Sequence, residues 1–300
     1  MLARKGKTAR RPQSVRLLYW NIQNGMWDGQ TDDYRRFTSW VDSLKPDVCV
    51  WCEAQSIWRT NSDKAMPREE RQLPARWPEL AARYGHTYIY IGEHRDNYPQ
   101  VITSRFPLTN VKRLGGNADT LVAHGAGWAQ MQVGKQSINL VALHTWPQAY
   151  AQGAKDREQS IAGHGGDRQR RYIYRHTLGS VPDGDRQMWL MMGDFNSRSP
   201  LDNFHYHYAP EDPRFWTQGF ILEHTPYIDI IAYRHPHQFV STSTGGRIDF
   251  VYCTRPVYER ITEARVIRDA YTSQVRDAQK LGNFYHPSDH LPILVDFTVE

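Results

Sequence analysis

The chain has 300 residues, 40% of them hydrophobic and 23% charged, and no apolar run approaches the ~20 residues that cross a bilayer, which excludes a transmembrane protein. Its mean hydropathy of −0.69 predicts a polar surface around a sizeable core, and its net charge of +5 suits a polyanionic substrate. The three cysteines, Cys49, Cys52 and Cys253, are an odd number and exclude a disulfide framework.

The N-terminus is basic: Arg4, Lys5, Lys7, Arg10, Arg11 and Arg16 all precede the first acidic residue, Asp28. Residues 1–14 therefore read as an arm that meets nucleic acid or an anionic surface, with a solvated tail as the competing reading. No apolar segment of signal-peptide type follows these charges, so the chain as written reads as cytoplasmic, or as exported if a signal has already been removed. Residues 15–300 read as a single domain, expected to be a monomer, because neither a Ser/Gly linker nor an internal repeat divides them.

Residues 15–20 form a predicted strand that runs into Asn21. Thr31 or Asp32 caps a helix that puts Tyr34, Phe37, Val41 and Leu44 on one side, and Pro46 stops it. Residues 48–52 form the next strand and run into Glu53. Within it, Cys49 and Cys52 spell C-x-x-C, but their odd spacing in a strand sends the thiols to opposite faces, which argues against redox and zinc roles. The charged stretch 59–76 reads as a surface loop. Residues 78–84 read as a short helix closed by Gly85, and 86–92 as a strand. Short strands at 101–104, 127–133 and 137–144 have the Gly and Pro punctuation of antiparallel pairing. A loop over 148–166, a helix over 168–178, and strands over 188–192, 247–252 and 291–297 complete the pattern.

Four strands thus deliver polar residues to what can be one rim. Asn21 and Glu53 follow the first two. Gly193-Asp194-Phe195-Asn196 follows the third, where alternation aims Asp194 and Asn196 the same way; an Asx turn is the competing reading. Ser288-Asp289-His290 precedes the last, placing a metal-binding oxygen beside an imidazole. In chain order the motifs are Trp20-Asn21, Cys52-Glu53, Thr103-Ser104-Arg105-Phe106-Pro107, Leu143-His144-Thr145, Gly193-Asp194-Phe195-Asn196, Arg247-Ile248-Asp249-Phe250 and Ser288-Asp289-His290-Leu291-Pro292. This order resembles the endonuclease/exonuclease/phosphatase superfamily, of DNase I-like fold. The resemblance implies a four-layer α/β/β/α sandwich, two packed, mainly antiparallel sheets flanked by helices.

The resemblance also implies roles. Glu53 is the chief ligand of a Mg²⁺ ion, for which Mn²⁺ or Ca²⁺ can substitute, and Asn21 and Asp289 complete the shell. Asp194 orients or deprotonates the attacking water, and Asn196 binds a phosphate oxygen. His290 is either the base for that water or, when protonated, a donor to the phosphoryl oxygen. Asp249 fixes the His290 tautomer, the competing reading being an ion pair with Arg247. His144 is the general acid. Gln100 stands where DNase-like enzymes carry a carboxylate that supports this histidine, and Gln23 stands where abasic-site nucleases carry an acid, which argues against a second metal. His124 reads as an isolated loop histidine. His205-Tyr206-His207 and His235-Pro236-His237 read as surface loops rather than zinc ligands, while Trp146 and Tyr285 read as rings that stack on a base or pack in the core.

The expected function is Mg²⁺-dependent hydrolysis of phosphodiesters by in-line attack of water, with nucleic acid favoured by the basic balance. Phospholipid head groups, inositol phosphates and other small phosphoesters are the alternative substrates. A non-catalytic binding module is the remaining rival, and the intact set Glu53, Asp194, Asn196, Asp289 and His290 argues against it.

Overall fold

Inward and outward side chains alternate cleanly along the longer strands, and that alternation builds the layers. The computed structural model describes residues 12–23, 32–54, 76–92, 98–114, 124–145, 173–273, 275–276 and 285–300. Residues 1–11 of the basic arm, Thr31, the stretches 59–75 and 148–166, and Trp146 lie outside the described residues. Of the helix predicted over 168–178, residues 173–178 are described; 173–176 are helical, 177 is a turn and Leu178 opens a short 3-10 helix.

Among the described residues two six-stranded sheets form. The first runs β11 (Ile261–Val266), β14 (Ile293–Val299), β1 (Gln13–Asn21), β2 (Val48–Cys52), β4 (Val101–Ser104) and β3 (Tyr88–Ile91). The second runs β5 (Leu108–Leu114), β6 (Ala126–Val133), β7 (Gln136–His144), β8 (Met188–Asp194), β10 (Asp249–Cys253) and β9 (Ile228–Asp229). A separate two-stranded ribbon pairs β12 (Val275–Arg276) with β13 (Tyr285–His286). Neighbours are antiparallel except β1 with β2 and β7 with β8, and the first of these parallel pairs is joined through helix α1 (Arg35–Leu44).

On β1, Val15, Leu17 and Tyr19 face the space between the sheets, where they meet Leu140 and Ala142 of β7, Leu190 and Met192 of β8, and Val251 of β10. Leu18 and Trp20 face the other way. With Cys49, Trp51 and Val101 they pack under Phe37, Trp40 and Val41 of α1 and under Trp77 and Leu80 of α2 (Trp77–Ala82). The outer face of the second sheet presents Val141, Leu143, Trp189, Met191, Phe250 and Tyr252 to Ile173, Leu178 and Ile221, the last from α3 (Trp216–His224). Helix, sheet, sheet and helix make the four layers expected from the sequence. Each fully buried aliphatic side chain contributes roughly 1.5–3 kcal/mol of transfer free energy, so the rigidity of the rim rests on these three apolar layers. Cys49 lies in the outer layer and Cys52 between the sheets, on opposite faces as their spacing requires.

Several boundaries differ from expectation for local reasons. The first helix begins at Arg35 because Tyr34 adopts φ 60°; Asp32 still caps it, accepting from Arg36 N at 2.9 Å. The last strand begins at Ile293 rather than residue 291, since Pro292 has no N–H for a ladder and Leu291 N bonds Thr242 O instead. β5 and β11 went unread because Leu-Thr-Asn-Val-Lys-Arg-Leu and Ile-Thr-Glu-Ala-Arg-Val are largely polar strands at the sheet edges.

Candidate active site

Register alone brings three predicted residues into one row. In the second sheet His144 pairs with Asp194 across β7 and β8, and Asp194 pairs with Asp249 across β8 and β10. Gly193 makes this possible. A Cβ there would fall 1.9 Å from Leu143 O, so no larger residue fits beside β7 without parting the strands. In the first sheet Asn21 pairs with Cys52, and the chain then turns at Glu53 with φ 55°, a left-handed conformation that costs on the order of 1 kcal/mol. Both sheets end at the same rim.

Side chains cross between the sheets there. Asn21 Nδ2 donates to Glu53 Oε1 at 3.2 Å and to Asp194 Oδ2 at 3.1 Å, while Asn21 Oδ1 accepts from Gln23 N at 3.0 Å. Two carboxylates on one side and an N–H on the other leave only one way to orient this amide. Tyr19, facing inward two residues earlier, donates to Asp249 Oδ1 at 2.7 Å. The other oxygen of Asp249 meets His290 Nδ1 at 2.7 Å. Ser288 Oγ donates to Asn21 O at 2.8 Å, and Trp20 Nε1 to His290 O at 3.0 Å, so the Ser-Asp-His segment is pinned to β1.

Asp194 and Asn196 do share the site, though not by strand alternation. Asn196 has φ 48°, and its N–H bonds Asp194 Oδ1 at 2.8 Å, which is the Asx turn itself. That turn swings the Asn196 amide to His144 Nε2 and to Thr145 O, both at 3.0 Å. Because Nδ2 donates to the carbonyl, it also donates to His144, whose Nε2 is therefore an acceptor and whose proton sits on Nδ1. His144 Nδ1 has no hydrogen-bond partner among the described residues. Gln100 does not supply one: it donates to the carbonyls of Tyr98 at 2.6 Å and His124 at 3.1 Å, and so holds the Tyr98 and His124 rings, whose centroids lie 5.4 Å and 4.7 Å from that of His144.

Charge follows burial. Burial, followed by the His124 and His290 rings, holds the His144 imidazole well below its ordinary value, and burial lowers that of His124 to about 4. His290 goes the other way: burial opposes its charge, but Asp249 above all, then Asp289 and Asp194, hold its imidazole well above 6.5. Burial and the neighbouring Asp249 push the Asp194 carboxyl well up, and burial also raises Asp289. His290 Nε2 faces Asp289 Oδ1 at 3.6 Å and Asp194 Oδ2 at 3.8 Å. Arg247 is not the partner of Asp249. It is buried between Asp202 and Asp229, with its nitrogens 2.7 Å from an oxygen of each.

Two groups have the composition of a cation site: Glu53, His144 and Asp194, and Asp194, Asp249 and His290, each with ligand atoms within 4.8 Å of one another. The donor chemistry fits a hard divalent ion. The buried carboxylates Asp194 and Asp249 meet imidazoles, an amide and a hydroxyl but no guanidinium or ammonium group among the described residues, so the protonated His290 imidazole stands alone against them and a divalent ion would supply the remaining positive charge.

The sequence matches the Endonuclease/Exonuclease/phosphatase family over residues 18–290. The chain belongs to this family. As an endonuclease/exonuclease/phosphatase protein it is a metal-dependent phosphoric ester hydrolase. No curated protein matches it. Among solved structures it is similar to an AP endonuclease from Archaeoglobus fulgidus, at 16% identity and TM-score 0.61, covering 95% of this chain and 100% of that one. It is similar to an endonuclease/exonuclease/phosphatase from Beutenbergia cavernae DSM 12333, at 18% identity and TM-score 0.62, covering 95% and 72%. A humanized D. rerio TDP2 carrying 14 mutations aligns at 15% identity and TM-score 0.54, covering 95% and 99%. At these identities the likeness establishes the DNase I-like fold.

Sequence reasoning missed Tyr19 and Tyr98. The first could have been found, since it is the inward residue two positions before Asn21. Nothing around Asn97-Tyr98-Pro99 marks the second. His205 stacks on Phe239, and His235 Nε2 lies 2.8 Å from Ala264 O, so neither belongs to the two groups above.

Proposed function

We propose that this chain is a Mg²⁺-dependent phosphodiesterase that cleaves nucleic acid by in-line attack of water. The observation that carries this reading is the Asn21 amide, which bridges Glu53 and Asp194 beside the Tyr19–Asp249–His290 relay. Glu53 would hold the ion together with Asp289, which belongs to neither of the two groups above, and Asn21 would fix the Glu53 carboxylate. When bound, Mg²⁺ supplies Lewis-acid neutralisation of phosphoryl charge. The protein's own groups do the rest. Asp194, its carboxyl raised by burial, takes the proton of the attacking water. His290, kept charged by Asp249, donates to the phosphoryl oxygen as negative charge grows there. His144 is neutral at rest with Nε2 as acceptor; taking a proton from solvent on Nε2 as the anionic phosphate arrives would make it the acid for the leaving oxygen and would free the Asn196 N–H that it now accepts. Asn196 would turn that N–H to a second phosphate oxygen.

The basic balance of the chain supports nucleic acid as the substrate, as do the AP endonuclease and TDP2 among its structural neighbours. The chain would act as a monomer with residues 15–300 as one catalytic domain. A panel of plasmid, single-stranded DNA, RNA, bis(p-nitrophenyl) phosphate, a monoester, sphingomyelin and inositol phosphates, each with Mg²⁺ and with EDTA, tests the proposal. Turnover of the polynucleotides and the activated diester with Mg²⁺ alone is expected. Turnover confined to the lipid or inositol substrates would overturn the nucleic-acid reading, and no turnover at all would favour the binding module.

A further inference from the structure

Next to His290 lies a group of rings that none of the roles above uses. Ser243 bridges both Gly246 and His290, and Thr244 N donates to Asp289 O at 3.0 Å, so the turn 243–246 rests against the Asp-His pair. Arg198 stands on the turn's other side. It follows Asn196 by two residues, donates through Nη2 to Gly245 O at 2.5 Å and lies 5.5 Å from the Tyr206 ring centroid. Tyr206 in turn accepts from Arg247 N at 3.1 Å. Beside it the His205 and Phe239 rings are stacked at 3.7 Å with only 7° between their planes, and Phe239 also meets Tyr206 edge-on at 5.3 Å. His205 is exposed and Phe239 half-buried. The ring pair therefore has one side supported by packing and offers the other, through His205, to solvent.

A flat, supported, solvent-facing π surface with a guanidinium beside it fits a ligand that is itself flat and anionic. An inositol phosphate or a phospholipid head group brings the charge without a flat face; a nucleotide brings both. We propose that His205 and Phe239, framed by Tyr206 and Arg198, form a base-stacking subsite for a nucleotide next to the scissile phosphate of a single strand. This rests on the nucleic-acid reading above and adds to it that the strand is unpaired, because a base must leave its own stack to lie on a protein ring. It also makes the subsite tolerant of sequence, since every base has a π face.

The test uses the whole chain with Mg²⁺ and three substrates: a single-stranded oligonucleotide, the same oligonucleotide with a tetrahydrofuran spacer replacing the base next to the cleaved bond, and bis(p-nitrophenyl) phosphate, which has no base. His205→Ala, at an exposed position, should raise KM for the ordinary oligonucleotide about tenfold or more. It should leave kcat for the p-nitrophenyl ester unchanged, whatever stacking its nitrophenyl rings find, and add nothing to the penalty of the spacer. His205→Tyr keeps a ring and should restore KM. An unchanged KM with His205→Ala, a penalty that persists on the spacer oligonucleotide, or a lowered kcat for the p-nitrophenyl ester would each overturn the subsite while leaving the nuclease reading intact. Failure of the unaltered protein to cleave any oligonucleotide while it hydrolyses the p-nitrophenyl ester would overturn both.

Discussion

Asp249→Asn keeps the shape of the side chain and removes the charge that holds His290. The carboxylate is 1% exposed and makes two bonds of 2.7 Å, to the Tyr19 hydroxyl and to His290 Nδ1. An amide can still accept from His290 Nδ1–H with its oxygen and turn its N–H toward the Tyr19 hydroxyl, which then accepts, so the contacts can survive while the charge does not. Breaking a buried ion pair costs about 3–5 kcal/mol, within the ~5–15 kcal/mol that typical domains have in hand, so the variant should fold with a lower denaturation midpoint. Losing a charged donor to the phosphoryl oxygen should lower kcat by roughly 10²–10⁴, or about 3–5 kcal/mol of barrier at 1.36 kcal/mol per decade. The pH sign follows from the raised imidazole. Its stabilising contribution is fully present below the ordinary value of 6.5 and is lost as pH rises through the higher folded value. The assay is kcat for bis(p-nitrophenyl) phosphate against pH at saturating Mg²⁺, with urea denaturation at the two ends of the range. In Asp249→Asn the alkaline limb should move to lower pH, and the stability difference between the two proteins should shrink as pH rises. An alkaline limb in the same place, with kcat within threefold of the unaltered protein, would refute the relay.

Two further substitutions test neighbouring parts of the rim. His144→Ala should slow a natural diester by roughly 10²–10⁴ and a p-nitrophenyl ester far less, because phenolate leaves without a proton; equal losses would make His144 a support for the Asn196 amide. Gly193→Ala puts a methyl group 1.9 Å from Leu143 O, a backbone atom that cannot swing aside; overpacking of about 1–3 kcal/mol should lower the thermal midpoint and displace Asp194, and an unchanged midpoint would contradict the close approach of β7 and β8.

The sequence carried the layers because a strand covered on both faces reads as a continuous apolar run, as β8 does in Met-Trp-Leu-Met-Met and β14 in Ile-Leu-Val. β1, β7, β8 and β14 were all read within a few residues of their ends. Edge strands such as β5 were lost because a half-solvated face admits Thr, Asn, Lys and Arg, which spell no period. At the site, the identity of Asn21, Glu53, Asp194, Asn196, Asp249 and His290 was legible as motifs at strand ends, but their partners were not. The pairing of Asp249 with Tyr19 links residues 230 apart in sequence, and the burial of Arg247 depends on Asp202, which ends a short helical turn, and on Asp229 of the edge strand β9, neither of which lies in a motif. The partners of Gln100 were illegible for a related reason. A Gln can satisfy either a ring or a carbonyl, and only the fold decides that the carbonyls of Tyr98 and His124 are nearer.

The central claim is that a divalent ion held by Glu53 drives phosphodiester hydrolysis at this rim. Its most direct measurement is the rate of bis(p-nitrophenyl) phosphate hydrolysis across a Mg²⁺ titration after EDTA treatment, for the unaltered chain and for Glu53→Gln. The account predicts no rate in EDTA, recovery with Mg²⁺, and for Glu53→Gln a rate lower by a factor on the order of 10² with half-saturation moved to higher Mg²⁺. A rate that survives EDTA, or a Glu53→Gln protein with an unchanged Mg²⁺ dependence, would contradict it.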